Sequence, residues 1–145
     1  DKDGKWFHKD SPIKRIEIVK LFSSVLYRDD IGKYWLETPA EKGTITVEDV
    51  PFIIIDFKVK TSNKKNSIFF TDNLDRQYKL SKKFPIVFKL KKNYSNQKIP
   101  YLFLGKGLFA KISRSVFYEL VKISNRDEFK NKIGIWSDGI FFELS

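Results

Sequence analysis

Residues 112–124 read Ile-Ser-Arg-Ser-Val-Phe-Tyr-Glu-Leu-Val-Lys-Ile-Ser, and residues 133–144 read Ile-Gly-Ile-Trp-Ser-Asp-Gly-Ile-Phe-Phe-Glu-Leu. In the first stretch Val116, Leu120 and Ile123 recur at helical spacing, with Phe117 and Val121 beside them. That spacing predicts an amphipathic helix over roughly 113–124. In the second the period changes to two, and Asp138-Gly139 is a strong turn signal, so 133–136 and 140–144 predict a hairpin. A helix laid on an antiparallel hairpin is the basic unit of the chain.

The same unit stands earlier. Ile13-x-Arg15 and Leu21-Phe22 match Ile112-x-Arg114 and Leu120-Val121 at an offset of 99. After each helix Ile-Gly opens an aromatic strand, Ile31-Gly32 with Trp35 and Ile133-Gly134 with Trp136. The matches suggest an internal duplication. Ser11 followed by Pro12 reads as helix cap and first helical position, which predicts the first helix over roughly 12–23. Val25-Leu26-Tyr27 and Tyr34-Trp35-Leu36 predict a hairpin whose turn uses Gly32 at positive φ.

Between the two units the polar stretches mark turns and the apolar stretches strands. Residues 41–43 read as a turn, and 44–47, 52–59, 67–71, 77–80, 86–90 and 100–104 as strands. Residues 61–66, Thr-Ser-Asn-Lys-Lys-Asn, are the best internal boundary, dividing the chain into an N-terminal half, 1–62, and a C-terminal half, 63–145. The expected fold is α+β: mostly antiparallel sheets with two helices and an internal duplication. With 145 residues, the halves are small enough to need a shared core. No apolar run approaches a membrane span. The chain opens at Asp1 without the basic and apolar regions of a secretion signal. Cys 0 and His 1 exclude disulfides, a thiolate zinc site and a multi-histidine metal centre. No cofactor is expected, and the composition fits a reducing, cytoplasmic setting.

The formal charge is +10, from 28 Lys+Arg against 18 Asp+Glu, yet only five of the basic residues are arginine. Base-edge and phosphate recognition in nucleic acid draws heavily on the arginine fork. The lysines are spread over the whole length. Solvated faces account for them, so specific nucleic-acid recognition is not expected, and nonspecific binding through the lysine surface is the minor alternative.

Few residues suggest chemistry. His8 is the only side chain with an ordinary pKa near neutrality, and it reads as a strand histidine held by a hydrogen bond. No G-x-S-x-G elbow surrounds any serine. Asp29-Asp30 and Asp72 with Asp75 sit in turn-rich sequence, where aspartate bonds its own backbone. Gly105-Lys106-Gly107 lacks the phosphate-loop spacing and reads as a turn. Arg15 and Arg114 each stand in the first turn of a predicted helix, against the helix dipole. Such cations beside free N–H groups form an anion pocket, or else pair with carboxylates of the other half. Trp6, Tyr34, Trp35 and Trp136 supply ring faces for the core or for a ligand.

The chain resembles a bacterial family called domain of unknown function 1285. The resemblance is carried by Asp3-Gly4-Lys5-Trp6-Phe7-His8, Ser11-Pro12-Ile13-x-Arg15, Tyr34-Trp35-Leu36-x-Thr38-Pro39-x-Glu41-Lys42-Gly43, Val47-Glu48-Asp49-x-Pro51-Phe52 and Gly134-x-Trp136-Ser137-x-Gly139. It implies a duplicated α+β core with a pleckstrin-homology-like C-terminal half. It also implies a non-enzymatic signalling or sensor role, with a nucleotide-like or phosphorylated ligand held between the halves. The implied ligand-binding positions are Trp6, His8, Arg15, Thr38, Glu41, Lys42, Arg114, Tyr118 and Trp136, with no catalytic residue and no metal. Phe84-Pro85 stands where the family usually carries His-Pro. A protein partner, bound through an apolar groove or a free sheet edge, is the alternative.

Overall fold

The computed structural model describes residues 3–8, 11–13, 16–38, 42–91, 97–127 and 131–144. Its centre is a six-stranded sheet. The strands are β6 (Phe52–Ser62), β7 (Lys65–Asp72), β8 (Gln77–Lys79), β9 (Ile86–Lys91), β10 (Gln97–Gly105) and β11 (Leu108–Ile112), in the order β8-β7-β6-β11-β10-β9. Every pairing in it is antiparallel except β6 with β11, where Phe52, Ile53 and Ile54 lie beside Ala110, Lys111 and Ile112. The 108–112 stretch was not anticipated as a strand. Its alternation is nevertheless clear in the structure, with Leu108, Ala110 and Ile112 buried and Phe109 and Lys111 half-buried.

Each half adds a helix followed by a three-stranded antiparallel meander. The helix α1 (Ile16–Ser24) leads into β3 (Leu26–Arg28), β4 (Tyr34–Glu37) and β5 (Lys42–Ile45). The helix α2 (Arg114–Lys122) leads into β12 (Asn125–Asp127), β13 (Lys132–Ser137) and β14 (Ile140–Glu143). These are the two units of the sequence repeat; β5 overlaps the strand expected over 44–47, whereas β12 was not anticipated. The fold is therefore α+β, mostly antiparallel, with two helices among the described residues. The pleckstrin-homology-like reading of the second half is compatible with it.

Three local expectations need correction. Ser11-Pro12 does not cap a helix: it forms β2 (Ser11–Pro12), antiparallel to β1 (Phe7–His8), and the Ile13 N–H donates to the Trp6 carbonyl at 2.7 Å. A proline that lacks a donor suits a short edge strand as well as a helix start. Lys42 and Gly43 lie within β5 and not in a turn. Residues 61–66 are the tip of the β6–β7 hairpin, paired from Ile54↔Asp72 to Ser62↔Lys65. A division of the chain at 62/63 would cut that hairpin.

A single core runs through both halves. Val19 and Leu26 from the N-terminal half pack with Phe52, Ile54, Phe70, Leu102, Leu120 and Ile135. Burial of such side chains supplies most of the driving force for folding. No helix among the described residues is long and apolar enough to cross a membrane.

Candidate functional site

Two tight turns meet where the halves join. In the β3–β4 turn, Asp29 Oδ1 accepts from the backbone N–H groups of Ile31 (3.1 Å) and Lys33 (2.8 Å), and Oδ2 accepts from Trp35 Nε1 at 2.9 Å. The Trp35 bond, followed by the Lys33 N–H, holds the Asp29 carboxyl below its ordinary value. Asp29 is thus a turn residue, as its sequence context predicts. The second turn, joining β10 to β11, carries Gly105, Lys106 and Gly107, all at positive φ.

The turns are sewn together by backbone. The Arg28 N–H donates to the Lys106 carbonyl at 3.0 Å. A Cβ on Gly107 would lie 2.8 Å from the Arg28 carbonyl oxygen, so no other residue type allows this approach. The Arg28 guanidinium lies over Gly32, with Nη2 3.2 Å from where a Cβ would be. Between the turns opens a groove of about 970 Å³. Tyr27, Arg28 and Glu37 line it from the N-terminal half, and Phe103, Lys106 and Phe109 from the C-terminal half.

Cations and rings crowd this seam. Lys89 Nζ stands 3.6 Å from the centre of the Phe109 ring and 5.0 Å from that of Tyr101. The Tyr101 hydroxyl donates to the Asp49 carboxylate, 3.1 Å from each oxygen. Burial first, and the Arg28 guanidinium second, push the Lys89 ammonium below its ordinary pKa, with Asp49 opposing. Burial also raises the Tyr34 phenol, which Arg28 opposes and Asp49 reinforces. Arg28, Asp49 and Lys89 therefore sense one another across the joint. Lys42 lies close by, its Nζ 4.6 Å from the Trp35 ring and 5.8 Å from that of Tyr27. The Tyr27 hydroxyl, as hydrogen-bond partner, raises the Lys42 pKa.

Two tyrosines make the fold sensitive to alkali. Burial first, then Asp72, push the Tyr78 phenol from 10.0 to about 12, and burial with Asp49 pushes Tyr101 up as well. A phenol whose folded pKa is raised contributes stability that is complete below its unfolded value and lost as pH rises through the folded one. Denaturation midpoints are expected to fall between pH 10 and about 12, and Tyr78→Phe is expected to flatten that fall. An unchanged slope in Tyr78→Phe would contradict the assignment.

The residues suggested by sequence do not gather at one place. Lys42 flanks the groove, and Thr38 lies exposed just past β4. The Trp6 ring packs on the core residue Phe52 at 6.2 Å. Arg114 opens α2 behind its cap, Ser113, and is exposed, as is Tyr118 on the same helix. Neither lines the groove. Trp136 borders a separate hollow beside Ile123 and Ile135. His8 pairs through its backbone with Ser11, its side chain lying outside the described residues, as do Arg15 and Glu41. Arg28, Lys89, Phe103 and Phe109 were not singled out from sequence. Gly105-Lys106-Gly107 and Asp29-Asp30 lie at this seam, and both were read as turns, which they are.

Residues 1–50 match the family model described as domain of unknown function (DUF1285), N-terminal domain, and residues 51–144 match protein of unknown function (DUF1285), C-terminal domain. The two models meet at the start of β6. Among solved structures, the chain is similar to a DUF1285 family protein from Silicibacter pomeroyi, with 33% identity and a TM-score of 0.82, covering 97% of this chain and 74% of that one. It is also similar to a DUF1285 family protein from Shewanella baltica, with 28% identity and a TM-score of 0.63, covering 82% of this chain and 85% of that one. No curated protein matches the chain.

Proposed function

The chain belongs to the DUF1285 family, and from that premise and the geometry of the seam we propose that it is a cytoplasmic binding protein, a sensor and not a catalyst, that holds an anionic, nucleotide-like ligand in the groove between its halves. The observation that carries this reading is that Arg28 and Lys106, from the two halves, line one groove, with Lys89 Nζ 3.6 Å from the centre of the Phe109 ring in its wall. Two cations that repel each other in a partly buried place gain from an anion set between them. Asp29, Asp30 and Glu37 line the same groove, and Asp29 is already taken up by the hydrogen bonds of its own turn. Tyr27, Phe103 and Phe109 offer ring faces against which a base can stack.

Calorimetric titration with ATP, AMP and inorganic phosphate tests the reading. At least one is expected to bind, and Arg28→Gln is expected to weaken it about tenfold or more, since a charge-assisted hydrogen bond contributes about 1.5–3 kcal/mol. Phosphate-bearing compounds that all fail to bind, or equal affinity in Arg28→Gln, would sink it.

A further inference from the structure

A second surface lies apart from the groove, on the hairpin of β6 and β7. β11 borders β6 only at 52–54, and β8 borders β7 only at 69–71. Beyond those pairings the two strands run on together to Ser62 and Lys65, as a ribbon two strands wide. Residues paired across the strands share a face. One face of the ribbon carries Val59 and Ile68, of which Ile68 is buried. The other carries Lys58 opposite Phe69, Lys60 opposite Ser67 and Ser62 opposite Lys65. Lys64 stands in the turn at positive φ. All four lysines are exposed.

The charge on the ribbon is of one sign. No residue from 57 to 71 is acidic, and among the described residues none of the four lysines has a carboxylate partner. Asp56 stands at the base of the cationic face, opposite Thr71, and Asp138 is held by Lys79 at 2.9 Å. The meander that carries Asp127 and Glu143 approaches the opposite face, where Asn125 and Trp136 border Val59 and Ile68. The ring on the cationic face, Phe69, lies under Lys60, whose Nζ is 4.6 Å from its centre. The face therefore offers cations and hydroxyls without an apolar anchor. An exposed lysine set against a single carboxylate contributes only ~0–1 kcal/mol, so an acidic protein gains little here. The tip, residues 61–66, is wholly polar and has nothing to insert into a bilayer. A nucleic-acid duplex gains more, because each lysine placed on a phosphate releases a condensed counterion. A two-stranded ribbon also has the width that the major groove of B-form DNA admits, whereas the deep, narrow groove of an RNA duplex excludes it. We propose that the β6–β7 ribbon enters the major groove of duplex DNA and binds its phosphates, without reading sequence, through Lys58, Lys60, Lys64 and Lys65. Lysine is a point charge without arginine's fork, which suits phosphate contact and not base recognition. The site is independent of the anion groove.

The probe is a short fluorescent DNA duplex of mixed sequence, followed by anisotropy with the whole chain at low salt. It is expected to bind, with log affinity falling against log salt at a slope of about −3 to −4 for four phosphate contacts. Lys58→Gln combined with Lys60→Gln is expected to weaken binding at least about tenfold and to shallow the slope by about 2. Lys33→Gln combined with Lys132→Gln, two exposed lysines of the β3–β4 turn and of β13, leaves affinity and slope unchanged, as does Arg28→Gln. An RNA duplex is expected to bind more weakly than the DNA. Equal losses in the two lysine pairs would overturn the proposal, leaving only diffuse charge attraction. So would an RNA duplex bound as tightly as DNA, or binding to vesicles containing phosphatidylserine without binding to the duplex. Self-association of the Lys58→Gln, Lys60→Gln protein with its DNA affinity unchanged would show instead that the lysines guard a free strand edge. Absence of duplex binding by the folded protein would overturn it too.

Discussion

Asp72→Ala is expected to destabilise the protein by about 3–5 kcal/mol, the usual cost of removing one partner from a buried charge pair. Asp72 is fully buried in the β7–β8 turn. Its Oδ1 accepts from the N–H groups of Leu74 (2.8 Å) and Arg76 (3.0 Å), and its Oδ2 from Arg76 Nε (3.0 Å) and the Tyr78 hydroxyl (3.2 Å). The Arg76 guanidinium in turn lies 4.5 Å from the centre of the Phe52 ring and donates from Nη1 to Ser23 Oγ on α1 at 3.0 Å. Its Nη2 is buried and, among the described residues, has no hydrogen-bond partner, so no described acceptor stands ready once the carboxylate is gone. Natural domains hold only about 5–15 kcal/mol in total, so the variant would stand close to unfolding at room temperature. Asp72→Asn keeps the shape and one acceptor and should fall between. A urea midpoint for Asp72→Ala within about 1 kcal/mol of the parent would show that the network does not tie α1 to the sheet.

Ser137→Ala is expected to cost about 2–4 kcal/mol although it removes one oxygen atom, because it strands two buried backbone groups at once. Ser137 Oγ has no exposure, donates to the Leu80 carbonyl at 2.7 Å and accepts from the Ile68 N–H at 2.9 Å. It thereby joins β13 to the middle of β7 and to the residue after β8. Ser113→Ala is the natural comparison. Ser113 caps α2 through the Val116 N–H at 3.4 Å, and losing such a cap costs about 0.5–2 kcal/mol. Denaturant midpoints should rank Ser137→Ala well below Ser113→Ala, with faster hydrogen exchange at the Ile68 amide. The reverse ranking would mean that water or a shifted strand replaces the hydroxyl.

The difference between those serines mirrors what could be read from sequence. Ser113 acts on residues three positions away, and the helix it caps was legible from Val116, Leu120 and Ile123. Asp138-Gly139 and Gly32 placed their hairpins for the same reason, since a turn's chemistry is local. Ser137 acts on Ile68 and Leu80, and nothing in its neighbours announces them. Residues 108–112 escaped notice because their partner across the parallel pairing, Phe52–Ile54, lies more than fifty residues away in sequence. The polar run 61–66 has the composition of a linker and of a hairpin tip alike, and only the pairing of β6 with β7 separates the two. Ser11-Pro12 satisfied the rules for a helix start, while Phe7-His8 supplied a competing strand.

The candidate site was less legible still. Arg28 and Lys106 are ordinary members of a basic chain until the β3–β4 and β10–β11 turns bring them to one groove. Gly107 hints at a close approach, but Arg28, whose carbonyl it accommodates, is far away in sequence. Arg114 drew notice through its position on a helix, yet α2 presents it away from the groove lining. Charge at a helix start is visible in sequence, whereas repulsion between cations from different halves is a property of the folded joint.

The account rests on the groove between the halves as the place where an anion binds. Amide chemical shifts followed by NMR while ATP is added test this most directly. The account predicts that the largest shifts fall together on residues 24–30 of the N-terminal half and 103–109 of the C-terminal half, and that Arg28→Gln abolishes both sets. Shifts confined to α2 around Arg114, or to the surroundings of Trp136, would contradict it, as would a spectrum that ATP leaves unchanged.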